Sequence, residues 1–229
     1  MDMIKLLTKI RDLIDAYLKK HNNKTEEATF NTDPSGKVVI CVGHSRSGDP
    51  GARACDDSIY EWHYNRTLAH YIDQYLPETV ETVIIDRYPG SSYKEAMDNL
   101  KLAVDPLKAD LVIELHFNSA ENKDARGFEI LRWHTSQRGF EYATAILSQF
   151  KAFFPTHPNR GIKSVEGVTQ RGGRFLMTLK APTLILEPFF GSNIKDWEVF
   201  KTVEGKMELG KSIAKGITLG LRLRNNINR

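Results

Sequence analysis

Cysteine is scarce: Cys41 and Cys55 are the only two in 229 residues, and no Cys-x-x-Cys pair occurs. That excludes a disulfide framework and a thiolate zinc site. Cys41 lies in a β-branched run and is expected to be a small core residue. Also missing is any apolar stretch near the roughly 18 residues of a membrane span. The opening segment MDMIKLLTKIRDLIDAYLKK has apolar residues every three or four positions with charges between them. It lacks the uninterrupted apolar core and small-residue cleavage site of a secretory signal, so synthesis in the cytoplasm is expected. No large excess of one charge is present. A net charge of +3 does not argue for a nucleic-acid partner, though it suits approach to an anionic polymer. Internal repeats and low-complexity tracts are absent as well.

What remains is an ordinary globular composition, 41% hydrophobic and 27% charged, on a chain long enough for one large core without staples. Three segments are expected. Residues 1–20 read as an amphipathic helix. Residues 21–36, polar and holding Asp-Pro and Ser-Gly turn signals, read as a linker. Residues 37–229 read as the main domain. The N-terminal helix is expected to pack on that domain or on a second copy, giving an oligomer. Contact with a membrane or wall surface is the alternative for so basic a helix.

From Lys37 onward strands and helices alternate. Strand patterns fall at 37–43, 80–87, 109–117, 127–133 and 181–190; helical patterns fall at 58–76, 91–107, 138–154 and 196–224. Strands separated by helical stretches imply an α/β fold. The expectation is a single twisted, largely parallel sheet with helices on both faces.

One strand is odd. ADLVIELHFNSA (109–120) carries Glu114 and His116 two places apart, so alternation puts both on one face of a buried strand. Ligands of open α/β sheets gather outside the carboxyl ends of strands. The first strand ends at GHSRSGDPGA with His44, the third carries His116, and the last ends LILEPFF with Glu187. The helix at 58–76 adds a fourth group. Glu61, Asn65, Leu68 and Ile72 form one stripe, and the apolar members turn it toward the sheet. A carboxylate on that inner face needs a partner. His63 and His70 lie about 180–200° away at 100° per residue and are expected in solvent. His44, Glu61 and His116 then form a His₂Glu set with an open position, the arrangement of catalytic zinc.

Read together, GHSRSGDPGA, EWHYNRTLA, ADLVIELHFNSA, RGFEIL and APTLILEPFFGSN resemble the catalytic domain of zinc-dependent N-acetylmuramoyl-L-alanine amidases, over about residues 37 to 222. The resemblance implies that His44, Glu61 and His116 hold one Zn²⁺ and that Glu187 is the catalytic glutamate. Asp86-Arg87 sits where that family has an arginine. The implied substrate is peptidoglycan, cut at the amide between N-acetylmuramic acid and L-alanine. Two features depart from the pattern: the loop 45–59 is rich in charge, and Glu114 stands where a small polar residue is common. From alternation alone, Glu114 is placed to accept a hydrogen bond from His116 or to pair with a nearby cation. Asn65, Asn118 and Asn193 are expected around the site, and Arg46, Arg53, Arg171 and Arg174 are candidates for stem-peptide carboxylates. Without an export signal, a phage or prophage endolysin is the expected context, acting at the bacterial wall after release, with a bacterial autolysin exported by an unusual route as the alternative. A zinc carboxypeptidase or endopeptidase is the alternative enzyme, although the His-x-x-Glu pair of such carboxypeptidases is absent because residue 47 is serine. A non-catalytic wall-binding module is the alternative outside enzymes.

Overall fold

The structure, a computed structural model, describes residues 34–44 and 48–227. The expected N-terminal helix, its oligomer contact, most of the linker and Arg46 lie outside the described residues. The order is β1 (Gly36–Val42), α1 (Glu61–Tyr75), β2 (Val80–Ile85), α2 (Tyr93–Val104), β3 (Leu111–Leu115), β4 (Phe128–Trp133), α3 (Gln137–Phe153), β5 (Asn159–Val165), α4 (Gly173–Thr178), β6 (Thr183–Glu187), α5 (Ile194–Phe200) and α6 (Val203–Ile227).

The six strands form one sheet in the order β2-β1-β3-β6-β4-β5. β2, β1, β3 and β6 run parallel, whereas β4 pairs antiparallel with β6 and β5 parallel with β4. The three strands that carry His44, His116 and Glu187 are therefore neighbours, and their carboxyl ends share a rim. Because β4 runs the other way, its start meets that same rim, and Glu129 pairs with Glu187.

Strands β1, β3 and β6 are apolar almost throughout because both faces are covered. On one face α1, α3 and α6 place Leu68, Ile72, Ile146, Phe150, Ile213 and Ile217 over Val38, Ile40, Ile113 and Leu184. On the other, α2 and the short α4 place Met97, Leu100, Phe175 and Leu176 over Val39, Cys41, Val112 and Ile185. Cys41 is buried in this second layer. The second cover is thin, with one helix of 12 residues and one of six, and an open cleft begins where it ends.

Two elements had no expectation. β5 (NRGIKSV) is an edge strand whose outward positions are polar or basic, the composition that protects an exposed edge and hides its periodicity. α4 is too short to show a helical stripe. The expected closing helix at 196–224 is two helices. Thr202 breaks it, its hydroxyl accepting from the Gly205 amide at 3.0 Å, an N-cap that starts α6 afresh. Among the described residues no helix is long and apolar enough to cross a membrane.

Candidate metal centre and active-site cleft

β1 hands the chain to Gly43, whose amide still pairs with Leu115 at 3.0 Å. His44 follows with φ 65°, a left-handed turn that lifts its ring off the strand line. A Cβ on Gly43 would overlap the His116 ring, so glycine at this position lets the imidazole lie across the backbone. Gly51 (φ +78°) plays the same part for the returning loop, since a Cβ there would meet His44 and Glu61.

Glu61 opens α1, and the acid at that end is favoured by the helix dipole. It is 3% exposed, yet both its oxygens are satisfied. Oε1 accepts from the Phe117 amide at 3.1 Å and lies 2.8 Å from His116 Nδ1. Oε2 accepts from the Ala52 amide at 3.0 Å and lies 3.3 Å from His44 Nε2. Burial alone would raise this carboxyl, but the two imidazoles outweigh it and hold Glu61 down at about 2. Burial likewise opposes protonation of the histidines. At His116 Glu114 and then Glu61 overcome that, and at His44 Glu61 and then Asp49 do, so both are raised.

The predicted trio is brought together: one ligand atom from each of His44, Glu61 and His116 lies within 4.8 Å of the others. The rings meet edge to face with centroids 5.0 Å apart. Without a cation the cluster attracts protons onto two imidazoles around one carboxylate. A site that concentrates positive charge in this way, with nitrogen and oxygen donors, suits a divalent zinc that displaces those protons. The donor chemistry fits. His63 and His70 are exposed, as the helical stripe requires.

Glu187 ends β6 and lines the same cleft of about 780 Å³ as the trio. It is 7% exposed, and its Oε2 has no hydrogen-bond partner. Burial, helped by the negative charges of Glu61 and Glu129 and opposed by His116 and Arg171, pushes it up to about 7. A carboxyl poised there can take and return a proton near neutral pH.

The raised value has a consequence for stability. An unfolded carboxyl loses its proton near 4.5, whereas Glu187 in the folded chain holds it until about 7. Folding stability therefore falls as pH rises through that window and levels off above it. In metal-free protein, Glu187→Gln should gain on the parent by about 2–3 kcal/mol between pH 4.5 and pH 8. Urea unfolding at both pH values checks this, and a pH-independent difference contradicts it.

Glu129 was not anticipated, although FEIL on a buried strand carries the same signal as IELH: an acid among apolar neighbours. It accepts from Arg160 Nε at 2.7 Å, from Asn118 Nδ2 at 2.9 Å and from Arg171. Burial raises its carboxyl, but those donors hold it below the usual range. Asn118 thus lies at the cleft, its Oδ1 accepting from Arg171 at 3.1 Å. Arg171 is the only one of the described candidate arginines on the cleft wall. Arg53 instead pairs with Asp57 at 3.3 Å and lies over Tyr60, and Arg174 is off the lining. Asp86 binds Arg66 at 2.9 Å, and Arg87 is exposed.

Two predicted asparagines are elsewhere. Asn65 is wholly buried one turn along α1 from Glu61 with neither amide atom paired, and it does not line the cleft. Asn193 caps α5, its Oδ1 accepting from the Asp196 amide at 3.0 Å and its Nδ2 donating to the Lys123 carbonyl at 2.5 Å.

Residues 38–219 match the family Amidase_3, described as N-acetylmuramoyl-L-alanine amidase. The chain belongs to the N-acetylmuramoyl-L-alanine amidase family. The amidase is thus a hydrolase of peptidoglycan, acting on the amide between N-acetylmuramic acid and L-alanine. Among solved structures it is similar to the catalytic domain of the CD27L endolysin that targets Clostridia difficile. That likeness is at 28% identity and TM-score 0.63, covering 80% of this chain and 96% of that one. It shares its fold with the CwlV catalytic domain from Bacillus (Paenibacillus) polymyxa var. colistinus (21% identity, TM-score 0.68, 80% and 97% covered). It also shares it with CwlD from Clostridioides difficile, solved in complex with the GerS lipoprotein (18% identity, TM-score 0.72, 82% and 100% covered). No curated protein sequence matches the amidase significantly.

Proposed function

We propose that the amidase is zinc-dependent, that His44, Glu61 and His116 hold one Zn²⁺, and that Glu187 is its proton-transfer residue. When bound, the ion supplies Lewis-acid polarisation of the scissile carbonyl and lowers the pKa of water at the site. Glu187 takes a proton from the attacking water as oxygen adds to the carbonyl carbon. It returns that proton to the nitrogen as the C–N bond breaks, giving a lactyl carboxylate and a free L-alanine amine. No hydrogen bond at its buried Oε2 has to break for either transfer. Asn118, Glu129 and Arg171 fix the wall beside it, and Glu61 sits in a pair of backbone amides that spare it any reorganisation on binding metal. One observation carries this reading: the three donors converge within 4.8 Å in the cleft that Glu187 also lines.

Within it, the enzyme works as a lysin released onto the wall at the end of a phage cycle. Its likeness to the catalytic domain of an endolysin supports that context. The reaction is tested by mass spectrometry of purified peptidoglycan after digestion. Whole stem peptides with L-alanine N-termini are expected. Shortened peptides still joined to muramic acid would instead make the chain a carboxypeptidase or endopeptidase.

A further inference from the structure

The metal reading leaves one buried acid without work. Glu114 lines the cleft, paired in register with Cys41 on β1 and Ile185 on β6. It is 4% exposed, so an unpartnered carboxylate there would be costly. Its two oxygens have separate partners. Oε2 lies 3.1 Å from His116 Nε2, and Oε1 accepts a hydrogen bond from the Tyr88 hydroxyl at 2.7 Å. Tyr88 stands on the segment between β2 and α2 that also brings Gly90, Ser91 and Ser92 to the cleft wall, where Tyr93 opens α2.

His116 is therefore held at both ring nitrogens, with Nδ1 toward Glu61 and the metal point and Nε2 toward Glu114. A neutral imidazole has one N–H and one lone pair. Without metal both nitrogens face carboxylates, Nδ1 at 2.8 Å and Nε2 at 3.1 Å. Were zinc to displace the proton between Nδ1 and Glu61, Glu114 would keep the hydrogen on Nε2 and leave the Nδ1 lone pair for the metal. The same pattern is present in mirror form at His44, where Nδ1 lies 3.1 Å from Asp49 Oδ2 and Nε2 faces Glu61. The His44 brace is exposed and stands on a surface loop. The His116 brace is buried and reaches through a second residue into the cleft wall.

We infer that Tyr88 and Glu114 are positioning residues, a hydroxyl–carboxylate–imidazole chain that selects the Nε2–H tautomer of His116, so that it binds zinc through Nδ1. This rests on the zinc reading above and goes beyond it in three respects: it assigns the ligating nitrogen, gives Glu114 a task and brings in Tyr88. Outer carboxylates of this kind both orient a ligand ring and raise its basicity, and their loss commonly costs 10- to 100-fold in metal affinity. Tyr88 acts one step further out, by holding Glu114 in the rotamer that reaches Nε2.

The test is zinc affinity by competition with a chromophoric chelator, joined to ¹⁵N spectra of the histidine rings in the zinc-loaded protein. For Glu114→Ala the expected result is zinc binding about 10- to 100-fold weaker and loss of the single Nε2–H form of His116. Glu114→Gln keeps an acceptor oxygen and should recover most of the affinity. Tyr88→Phe, which removes only one oxygen atom, should weaken binding about two- to tenfold. A purely structural role would lower the unfolding temperature of metal-free Glu114→Ala and leave zinc affinity and ring tautomer as in the parent. Unchanged affinity in all three variants, or a parent spectrum showing His116 bound through Nε2, overturns the inference alone. A parent protein that takes up no zinc overturns the metal reading, and the inference with it.

Discussion

Glu187→Gln is expected to cost the amidase about 10²- to 10⁴-fold in turnover, the usual worth of a positioned general acid–base, while zinc content stays at the parent level. The substitution is close to isosteric. Glutamine keeps the hydrogen-bonding shape of the protonated acid but can neither accept the proton of water nor hand one to the leaving amine. Glu187 makes no contact with the His44–Glu61–His116 cluster within hydrogen-bond range; it acts on their charges at a distance and they on its own. Turnover on purified walls and metal analysis on the same preparation separate the two effects. Activity within a few-fold of the parent would remove Glu187 from the reaction.

Glu61→Ala should be as severe in activity by a different route. The carboxylate stands between two imidazoles and engages two backbone amides, those of Phe117 and Ala52. Its removal takes away one of three donors. It also leaves two histidines whose charges oppose each other without the anion that reconciles them. Zinc should fall to well under one ion per chain, with wall lysis below detection and no recovery on adding moderate excess metal. The amides freed of Oε1 and Oε2 lose buried partners, at about 1–3 kcal/mol each, so the unfolding temperature should also drop. A variant that keeps full zinc occupancy would show that Glu61 is not a ligand.

Much of this site was legible before any coordinates, because it follows from periodicities. Strand alternation places Glu114 beside His116, and the helical stripe turns Glu61 inward while sending His63 outward. The rule that strand ends gather ligands leads to His44 and Glu187, and the observed adjacency of β1, β3 and β6 is the condition that reasoning needed. What escaped it depends on chain direction and loop course. Glu129 comes to the rim only because β4 runs antiparallel to β6, and a βαβ pattern gives no warning of that reversal. Asp49 and Tyr88 reach the histidine braces from loops, where no period relates position to direction. Asn193 illustrates the opposite case. Near the last strand it reads as a cleft residue, yet the unpaired amides at the start of α5 claim its side chain.

The central claim is that one divalent ion binds where the two histidines and Glu61 converge. Anomalous diffraction at the zinc edge, on crystals of the zinc-loaded amidase, tests it most directly. A single peak within about 2.0–2.2 Å of His44, Glu61 and His116, with Nδ1 as the His116 ligand and Glu187 outside the coordination sphere, is predicted. No peak in that cleft, or one bound by other residues while the trio stays apart, would contradict the account.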